Sequence, residues 1–431
     1  MIGVAADDIT GANDIGIMFA KHGFNTHVYS FAAGAPLALG GGKKPDAVIL
    51  DTDSRFDGPE KAYRKVFEAT LQLRAAGCSR FYNKTCSVFR GNIGAEFDAM
   101  LDALGESFAV VVLGFPKNGR TTVDGIHYVH GNKLEHSEFR NDPVHPMTRS
   151  DLAGILQAQT KRRVATIAHR IVSQGAGRLA EELDGMKRSG VGYVIVDVVD
   201  QPSLATIAKA VEGIRVLCGS SALAEELSAL ERRVGEQEVG AFPVAPLLGM
   251  GVLCVAGSLM PQTAEQLKVL EKSGIPSIEI DSLLLLDAQS REAEIRKLAT
   301  ACSIRIASGS DVALHTPNRQ EAVDRTKQAG AALGLSNVEV SRLVSGAVAE
   351  ITGRVLQVTG LSRVVIAGGD TSAAVCAKLG VKGMRLWQEI EPGLPSCITF
   401  TDPPLLMVLK SGSFGKPDFL AKALEHLKQQ S

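Results

Sequence analysis

Aromatic side chains are scarce in this chain, 5% of 431 residues with a single Trp. That excludes the stacking platforms on which single-stranded nucleic acids are held. An excess of one charge is missing too: 46 Lys and Arg against 47 Asp and Glu leave a formal net charge of −1. A broad nucleic-acid or anionic-membrane surface needs a basic excess, so neither partner is expected. No apolar run reaches the roughly 18 residues that a spanning helix requires, and no membrane segment is expected. The seven cysteines form no C-x-x-C and no pair at zinc-ligand spacing. Most sit in apolar runs such as V-L-C-G and V-L-C-V-A, where Cys acts as a small buried hydrophobe. A disulfide framework is therefore not expected, and a reducing cytoplasm is. The opening M-I-G-V-A-A-D-D has no basic leader and no apolar signal core, which supports the same cytoplasmic expectation.

Several catalytic fingerprints are absent as well. There is no G-x-x-x-x-G-K-[ST] phosphate loop, and no G-x-G-x-x-G followed by a ribose-binding acid, so a dinucleotide reading is weak. There is no G-x-S-x-G elbow for a hydrolase triad. His127 and His130 stand at i, i+3, and His136 and His145 follow. Without an H-E-x-x-H or a Cys partner they are expected to order their segment or touch substrate rather than ligate a metal.

What is there is an alternation. At about 150 residues per domain the length predicts two or three domains. Hydrophobic residues at 45% and charged residues at 22% are ordinary for a globular protein. Short apolar runs alternate with Ala/Leu-rich amphipathic stretches, which predicts an α/β fold: two domains, each a mostly parallel sheet flanked by helices. The first half predicts strands at 2–6, 26–31, 47–52, 80–84, 108–114 and 192–197, with helices at 12–22, 59–76, 95–104, 149–159 and 176–189. The stretch 114–146, rich in Gly, His, Asn and Pro, reads as a long functional excursion. Composition shifts over 232–250, which gives a substrate domain at 1–235, a linker at 236–250 and a second domain at 251–431. Strands are predicted there near 251–256, 277–280, 312–316, 364–367 and 405–409.

In the second half three apolar runs pass directly into small-residue turns and then helices: L-C-V-A-G-S-L-M-P-Q-T, V-V-I-A-G-G-D-T-S-A-A-V and M-V-L-K-S-G-S-F-G-K-P-D-F-L. Glycines let backbone N–H groups approach an anion, and the following helix offers its positive end. All three turns are expected at the carboxyl edge of one parallel sheet, where such folds bind ligands. One such turn is ordinary strand punctuation or a helix cap; three in one domain point to phosphate binding.

The first half carries charge at its strand ends instead. Asp7 and Asp8 follow the first strand, Asp53 and Arg55 the third, and Lys84, Ser87, Arg90 and Asn92 the fourth, with Lys117 and Arg120 after the fifth. Any one of these could be a solvated loop charge. Together they suit an anionic small substrate, with Arg able to hold a carboxylate and an Asp able to take a hydroxyl proton. Asp8 is preferred to Asp7 as that base. A two-domain enzyme that joins an acid to a nucleotide would look like this.

The opening A-D-D-I-T-G-A-N-D, the D-S-R, the K-x-x-S with R-G-N-I-G, the P-x-x-G-R-T-x-x-D-G excursion, the A-G-G-D-T-S and the late K-S-G-S-F-G resemble the four-carbon acid sugar kinases, in the same order and over the whole chain. The resemblance implies an N-terminal acid-sugar domain and a C-terminal nucleotide domain. It also implies transfer of the ATP γ-phosphoryl group to the terminal hydroxyl of threonate, erythronate or 3-oxo-tetronate. By resemblance, substrate contacts fall on Asp8, Arg55, Lys84, Thr85, Cys86, Ser87 and Arg90. ATP contacts fall on Ser258, Gly368, Gly369, Asp370, Thr371 and Gly412. Many threonate-type members carry Asp-Ser where this chain has Cys86 and Ser87; a thiol there resembles the oxo-tetronate branch, while the R-G-N that follows resembles the threonate branch.

The expected activity is therefore an ATP- and Mg²⁺-dependent kinase acting on the 4-hydroxyl of a sugar acid, D-threonate or D-erythronate first. A 3-oxo-tetronate or related sugar acid is the alternative. Catalysis would rest on positioning and charge neutralisation, with Asp8 accepting the proton. The two sites fall on separate domains, so closure before transfer is expected. The Mg²⁺ ligands are open, with Asp370, Glu389 and Glu391 as available acids, and so is homo-oligomerisation. Rivals from other classes are a dinucleotide-dependent oxidoreductase and a sugar-acid binding protein.

Overall fold

A computed structural model describes residues 1–40, 44–142, 144–231 and 242–430. The chain divides into two compact units, Met1–Gln237 and Glu238–Ser431. The 236–241 part of the expected linker lies outside the described residues, and 242–250 contains no helix or strand.

The first unit contains strands β1 (Ile2–Ala6), β2 (Thr26–Ser30), β3 (Ala47–Asp51), β4 (Arg80–Lys84), β5 (Ala109–Val112), β6 (Arg120–Val123), β7 (Ile126–Val129), β8 (Asn132–Lys133), β9 (Val164–Ile167), β10 (Tyr193–Val196) and β11 (Val216–Gly219). Eight of them form a sheet in the order β2-β3-β1-β4-β11-β5-β10-β9, parallel at every pairing. Helices α1 (Ile9–Ala20), α2 (Pro59–Ala75), α3 (Ile93–Leu104), α4 (Leu152–Gln157), α5 (His169–Val172), α6 (Ala176–Arg188), α7 (Gln201–Ala210) and α8 (Ala222–Leu230) connect the strands. A parallel sheet covered on both faces needs near-continuous apolar strands. The run A-V-I-L of β3 supplies one, with Val48, Ile49 and Leu50 all fully buried. Strand β1 lies between β3 and β4, so the chain ends after these three strands meet at one edge.

Two strands were not expected, β9 and β11. Each has four residues, and β9 (V-A-T-I) is only half-buried at three of them, too short and too polar at its flank to read as a core strand. The excursion also holds more order than a loop: β6, β7 and β8 form a small antiparallel sheet.

The second unit contains β12 (Leu253–Ala256), β13 (Ser277–Glu279), β14 (Val312–His315), β15 (Arg363–Ala367), β16 (Gly383–Glu391), β17 (Leu394–Thr399) and β18 (Leu406–Lys410). Its strand order is β13-β14-β12-β15-β18-β17-β16. The first five are parallel, and β17 runs antiparallel to both β18 and β16. The hairpin β16–β17 was not expected, because W-Q-E-I-E is polar and alternates only weakly. Helices α9 (Pro261–Lys272), α10 (Ala288–Ala307), α11 (Gln320–Ala332), α12 (Asn337–Thr359), α13 (Gly369–Lys378) and α14 (Phe419–Gln429) complete the unit. Ser336 and Glu339 close a capping box at the start of α12. Among the described residues no helix is long and apolar enough to cross a membrane.

Candidate active site

The strand order of the first unit brings the charged turns after β1, β3 and β4 together. Asp8 is the N-cap of α1, its Oδ1 accepting the Gly11 N–H at 2.5 Å and the Thr10 hydroxyl at 3.2 Å. A Cβ on Gly11 would lie 2.7 Å from that Oδ1 and 3.0 Å from Lys84 Nζ, so only glycine lets Asp8 and Lys84 approach. Arg55 grips Asp7 with two bonds, Nε to Oδ2 and Nη2 to Oδ1, both 2.7 Å, and donates from Nη1 to Asp8 Oδ2. The Arg55 guanidinium is thus buried and engaged by two carboxylates before any substrate arrives. It holds Asp7 and Asp8 in place, a role that the expected substrate contact did not include.

Lys84 donates to its neighbour's carbonyl, Thr85 O, at 3.1 Å and stands 3.6 Å from Asp14 Oδ2. Asp14 takes a second bond from Ser221 Oγ at 2.6 Å, while its Oδ1 has no hydrogen-bond partner. Arg90 donates from Nε to Cys86 Sγ at 3.3 Å and from Nη1 to Asp142 Oδ2 at 2.6 Å, and lies 5.1 Å from the Phe139 ring centre. Asp142 Oδ1 accepts the N–H groups of Val144 and His145, at 3.0 and 2.8 Å. His145 in turn stacks on Phe56 and sets its Nε2 2.9 Å from the Arg55 carbonyl oxygen. The excursion is therefore a strap that fixes two of the site's cations.

Other expected residues fall differently. Asn92 donates from Nδ2 to the carbonyls of Ser54 and Asp57, at 3.1 and 2.8 Å, and braces the loop that carries Arg55. Lys117 pairs with Glu225 at 2.7 Å, as does Lys21. Arg120 is buried, 3.1 Å from His130 Nε2. Thr85 and Ser87 are buried beside Lys84 and Cys86, and Asp53 takes a left-handed φ of 45° in the bend before Arg55. His127 is fully buried against Thr122, and burial pushes its ring down to about 3, so it is a core residue of the excursion.

Protonation follows these contacts. Burial pushes the Asp8 carboxyl up, but Arg55, Lys84, the Gly11 N–H and Arg90 outweigh it and hold Asp8 below its ordinary range. Burial raises Asp14 to about 6, only partly offset by Lys84 and Ser221. Burial also raises the Cys86 thiol, yet the nearby Arg90 and Arg55 reverse the shift and leave it below its ordinary value.

In the second unit β12, β15 and β18 are adjacent and parallel, so the three small-residue turns share one carboxyl edge. They interlock. A Cβ on Gly257 would fall 2.1 Å from Thr371 Oγ1, and one on Gly412 would fall 2.2 Å from Ser258 Oγ. Gly368 has φ of 120°, and a Cβ there would lie 3.2 Å from both the Ser258 nitrogen and Thr371 Oγ1. Ser258, Gly368, Thr371 and Gly412 are therefore brought together, and Gly369 opens α13 directly after Gly368. Asp370 is exposed in the first turn of α13 and accepts a bond from Ser341 Oγ at 3.2 Å.

Four residues support these loops; three escaped the sequence reading, and the fourth, Glu391, was named there only as an available acid for Mg²⁺. Thr263 donates to the Gly412 carbonyl at 2.9 Å. One turn further along α9, Gln266 donates to the carbonyls of Phe414, Gly415 and Lys416 at 3.1, 3.1 and 3.0 Å. Glu391 accepts the Lys416 N–H at 2.9 Å. Lys410, fully buried, donates to Thr263 Oγ1 at 2.8 Å and to the Gly412 carbonyl at 2.9 Å. The i, i+3 spacing of Thr263 and Gln266 was legible, but only the loop's path gives it meaning.

One unit thus gathers charged strand ends at one edge of its sheet, and the other gathers three interlocked small-residue turns. Residues 2–227 match the family described as the sugar-binding N-terminal domain, and 253–420 match the nucleotide-binding C-terminal domain. A protein of Cupriavidus necator named 3-oxo-tetronate kinase is 33% identical over 99% of this chain and 97% of its own length. One of the same name from Pseudomonas fluorescens is 32% identical over 99% and 97%. The crystal structure of a Salmonella typhimurium LT2 protein superposes with a TM-score of 0.82, 27% identity and 99% coverage of both chains. That of Haemophilus influenzae protein HI1011 gives 0.71 and 29%, covering 99% of this chain and 100% of the other. The chain belongs to the four-carbon acid sugar kinase family. It is an ATP-dependent kinase acting on a sugar acid.

Proposed function

We propose that the substrate is a 3-oxo-tetronate, and that the enzyme transfers the γ-phosphoryl group of ATP to its terminal hydroxyl. Threonate and erythronate, the substrates first expected, give way to the alternative. The observation that carries this reading is Cys86, held 3.3 Å from Arg90 Nε. A hydroxyl at carbon 3 needs an acceptor such as a carboxylate, whereas a carbonyl there needs a donor. Where a threonate-type site has an Asp, Cys86 offers no carboxylate acceptor, and the Arg90 guanidinium, which donates to its sulfur, supplies the donor. The full-length likeness to kinases named for 3-oxo-tetronate supports the same choice.

Lys84 and Arg90 would hold the substrate carboxylate and carbonyl oxygens, with Thr85 and Ser87 beside them. Arg55 would act on the substrate through Asp8, which it orients. Asp8 would accept the proton of the terminal hydroxyl as that oxygen bonds the γ-phosphorus and the bond to the β-phosphate oxygen breaks, releasing ADP. Asp14 is the rival base, because one of its oxygens is unpartnered and its carboxyl is raised to about 6. Ser258, Gly368, Gly369, Asp370, Thr371 and Gly412 would cradle the nucleotide with N–H and hydroxyl donors. Among the described residues no three His, Cys, Asp or Glu groups converge as a metal cage. Mg²⁺ bound with the nucleotide would supply charge neutralisation at its phosphates, with Asp370 the available acid beside these loops.

The test is ADP release from Mg·ATP across D- and L-tetronates and their 3-oxo forms. Turnover on a 3-oxo-tetronate well above every hydroxy acid is expected. A preference for threonate or erythronate would overturn the substrate reading, and flat rates with ATP still raising the melting temperature would move the substrate outside four-carbon acids.

A further inference from the structure

Beneath the late Ser-Gly-Ser loop lies a charged group that the substrate and nucleotide contacts above do not use. Lys410 is the last residue of β18, at the same carboxyl edge as the three loops, and is 0% exposed. Its Nζ has two partners, Thr263 Oγ1 and the carbonyl of Gly412. Both are neutral, and among the described residues no carboxylate pairs with it. An ammonium group in an apolar interior without a counter-ion is strongly disfavoured unless an anion joins it.

The surroundings supply none. From β12 the facing titratable group is the Cys254 thiol, which burial pushes up to about 12 and so keeps neutral. From α9 come Thr263 and Gln266, both uncharged, and from β15 comes Ala367, the register partner of Lys410. On α13 the nearest acid in sequence to the loops, Asp370, is exposed and bonded to Ser341. On β17 Cys397 is likewise buried and raised. The hairpin's Glu391 is taken by the Lys416 N–H and by Lys422.

We propose that Lys410 is a positioning residue for the nucleotide, the cation on which the Ser-Gly-Ser loop is built, and that binding of the nucleotide phosphates is coupled to uptake of a proton by its amine. The proposal rests on the reading of the three loops as the ATP site. The negative phosphates favour the charged amine, and by reciprocity the charged amine favours the phosphates. Its ammonium form also donates to the Gly412 carbonyl and to Thr263, which itself donates to that carbonyl, and so anchors the loop. Burial lowers the amine to about 7 in the free protein, so the coupling falls in an accessible range.

Calorimetry of the full chain with a non-hydrolysable ATP analogue and Mg²⁺, in two buffers of different ionisation enthalpy at about pH 8, tests this. Uptake of close to one proton per nucleotide is expected there, with affinity falling about tenfold per pH unit above the free amine's value. In kinetics the KM for ATP should rise over the same range while kcat at saturation holds. Lys410→Met should bind more weakly and without proton uptake, and Lys410→Arg should bind with no pH dependence. Tight binding by the wild type with no proton uptake overturns the proposal even if neither variant folds, as does undiminished uptake in Lys410→Met. No nucleotide binding at any pH would instead overturn the nucleotide reading of the loops, and this proposal with it.

Discussion

In the first unit Arg55, Lys84 and Arg90 each stand within ion-pair reach of a carboxylate, whereas in the second unit Lys410 has none and its neighbours at the strand ends are glycines and hydroxyls. On the proposed reading the first arrangement would recognise an anion by side chains whose charges are already balanced, so a substrate would exchange contacts, and small changes in the set would change which acid fits. On the same reading the second would recognise an anion by backbone N–H groups, which are the same in every sequence; what matters there is that no Cβ fills the space. In that proposal specificity rests on side chains in one unit and on the absence of Cβ atoms in the other.

The largest expected effect follows from that contrast. Gly412→Val places a Cβ 2.2 Å from Ser258 Oγ and 3.0 Å from Met260 Cγ, and both the turn after β18 and the one after β12 must shift. Nucleotide affinity should fall by about a hundredfold or more, near the upper range of overpacking costs. Sugar-acid binding, read by calorimetry without ATP, should stay within error. Gly369→Val, at the first residue of α13, is expected to act in the same way. If either variant keeps its ATP affinity, the claim that empty space defines the second site is lost.

Next comes the first unit's base. Asp8→Asn preserves the bonds from Gly11 and Thr10 but removes the proton acceptor, and kcat should drop by at least about tenfold, within the usual range for a general base. ATP affinity should be little changed. Asp14→Asn is the paired experiment: if it costs more in kcat than Asp8→Asn and abolishes a pH-rate limb near 6, the unpartnered oxygen of Asp14 is the acceptor instead.

Much of this was legible before any coordinates, for a physical reason. An apolar run that ends abruptly in A-D-D, D-T-D-S-R, A-G-G-D-T-S or K-S-G-S-F-G is a buried strand whose next residues must face solvent or ligand. What could not be read was pairing across distance. Arg55 reads as a free cation in one dimension, and only the adjacency of β3 and β1 turns it onto Asp7 and Asp8. Lys410 reads as the polar start of a loop, yet the strand runs one residue further than its apolar letters and buries it. The hairpin β16–β17 was missed because W-Q-E-I-E is polar and alternates only weakly, so its letters do not mark a strand.

The smallest effect tests whether the two units differ in the sign of their pH dependence. Glu96, in the first turn of α3, is buried and accepts Ser54 Oγ at 2.7 Å. Burial, reinforced by Asp7, raises its carboxyl from an ordinary 4.5 to about 8, with Ser54 and Arg55 offsetting part. The folded state thus holds a proton that the unfolded chain has lost between those values, and stability falls as pH rises through that window. Lys410 is the reverse: lowered from 10.5 to about 7, it leaves the unfolded chain with the extra proton, so its contribution grows as pH rises from 7 to 10.5. Glu96→Gln keeps an acceptor for Ser54 and removes the titration. Its melting temperature should match the wild type near pH 5 and exceed it near pH 9, with the gap opening between pH 4.5 and 8. Lys410→Met should gain least, relative to wild type, at that same alkaline end. Parallel curves for Glu96→Gln and wild type would mean that Glu96 is ionised in the fold, and the first unit's site would then carry one more negative charge than the second unit's contrast with it assumes.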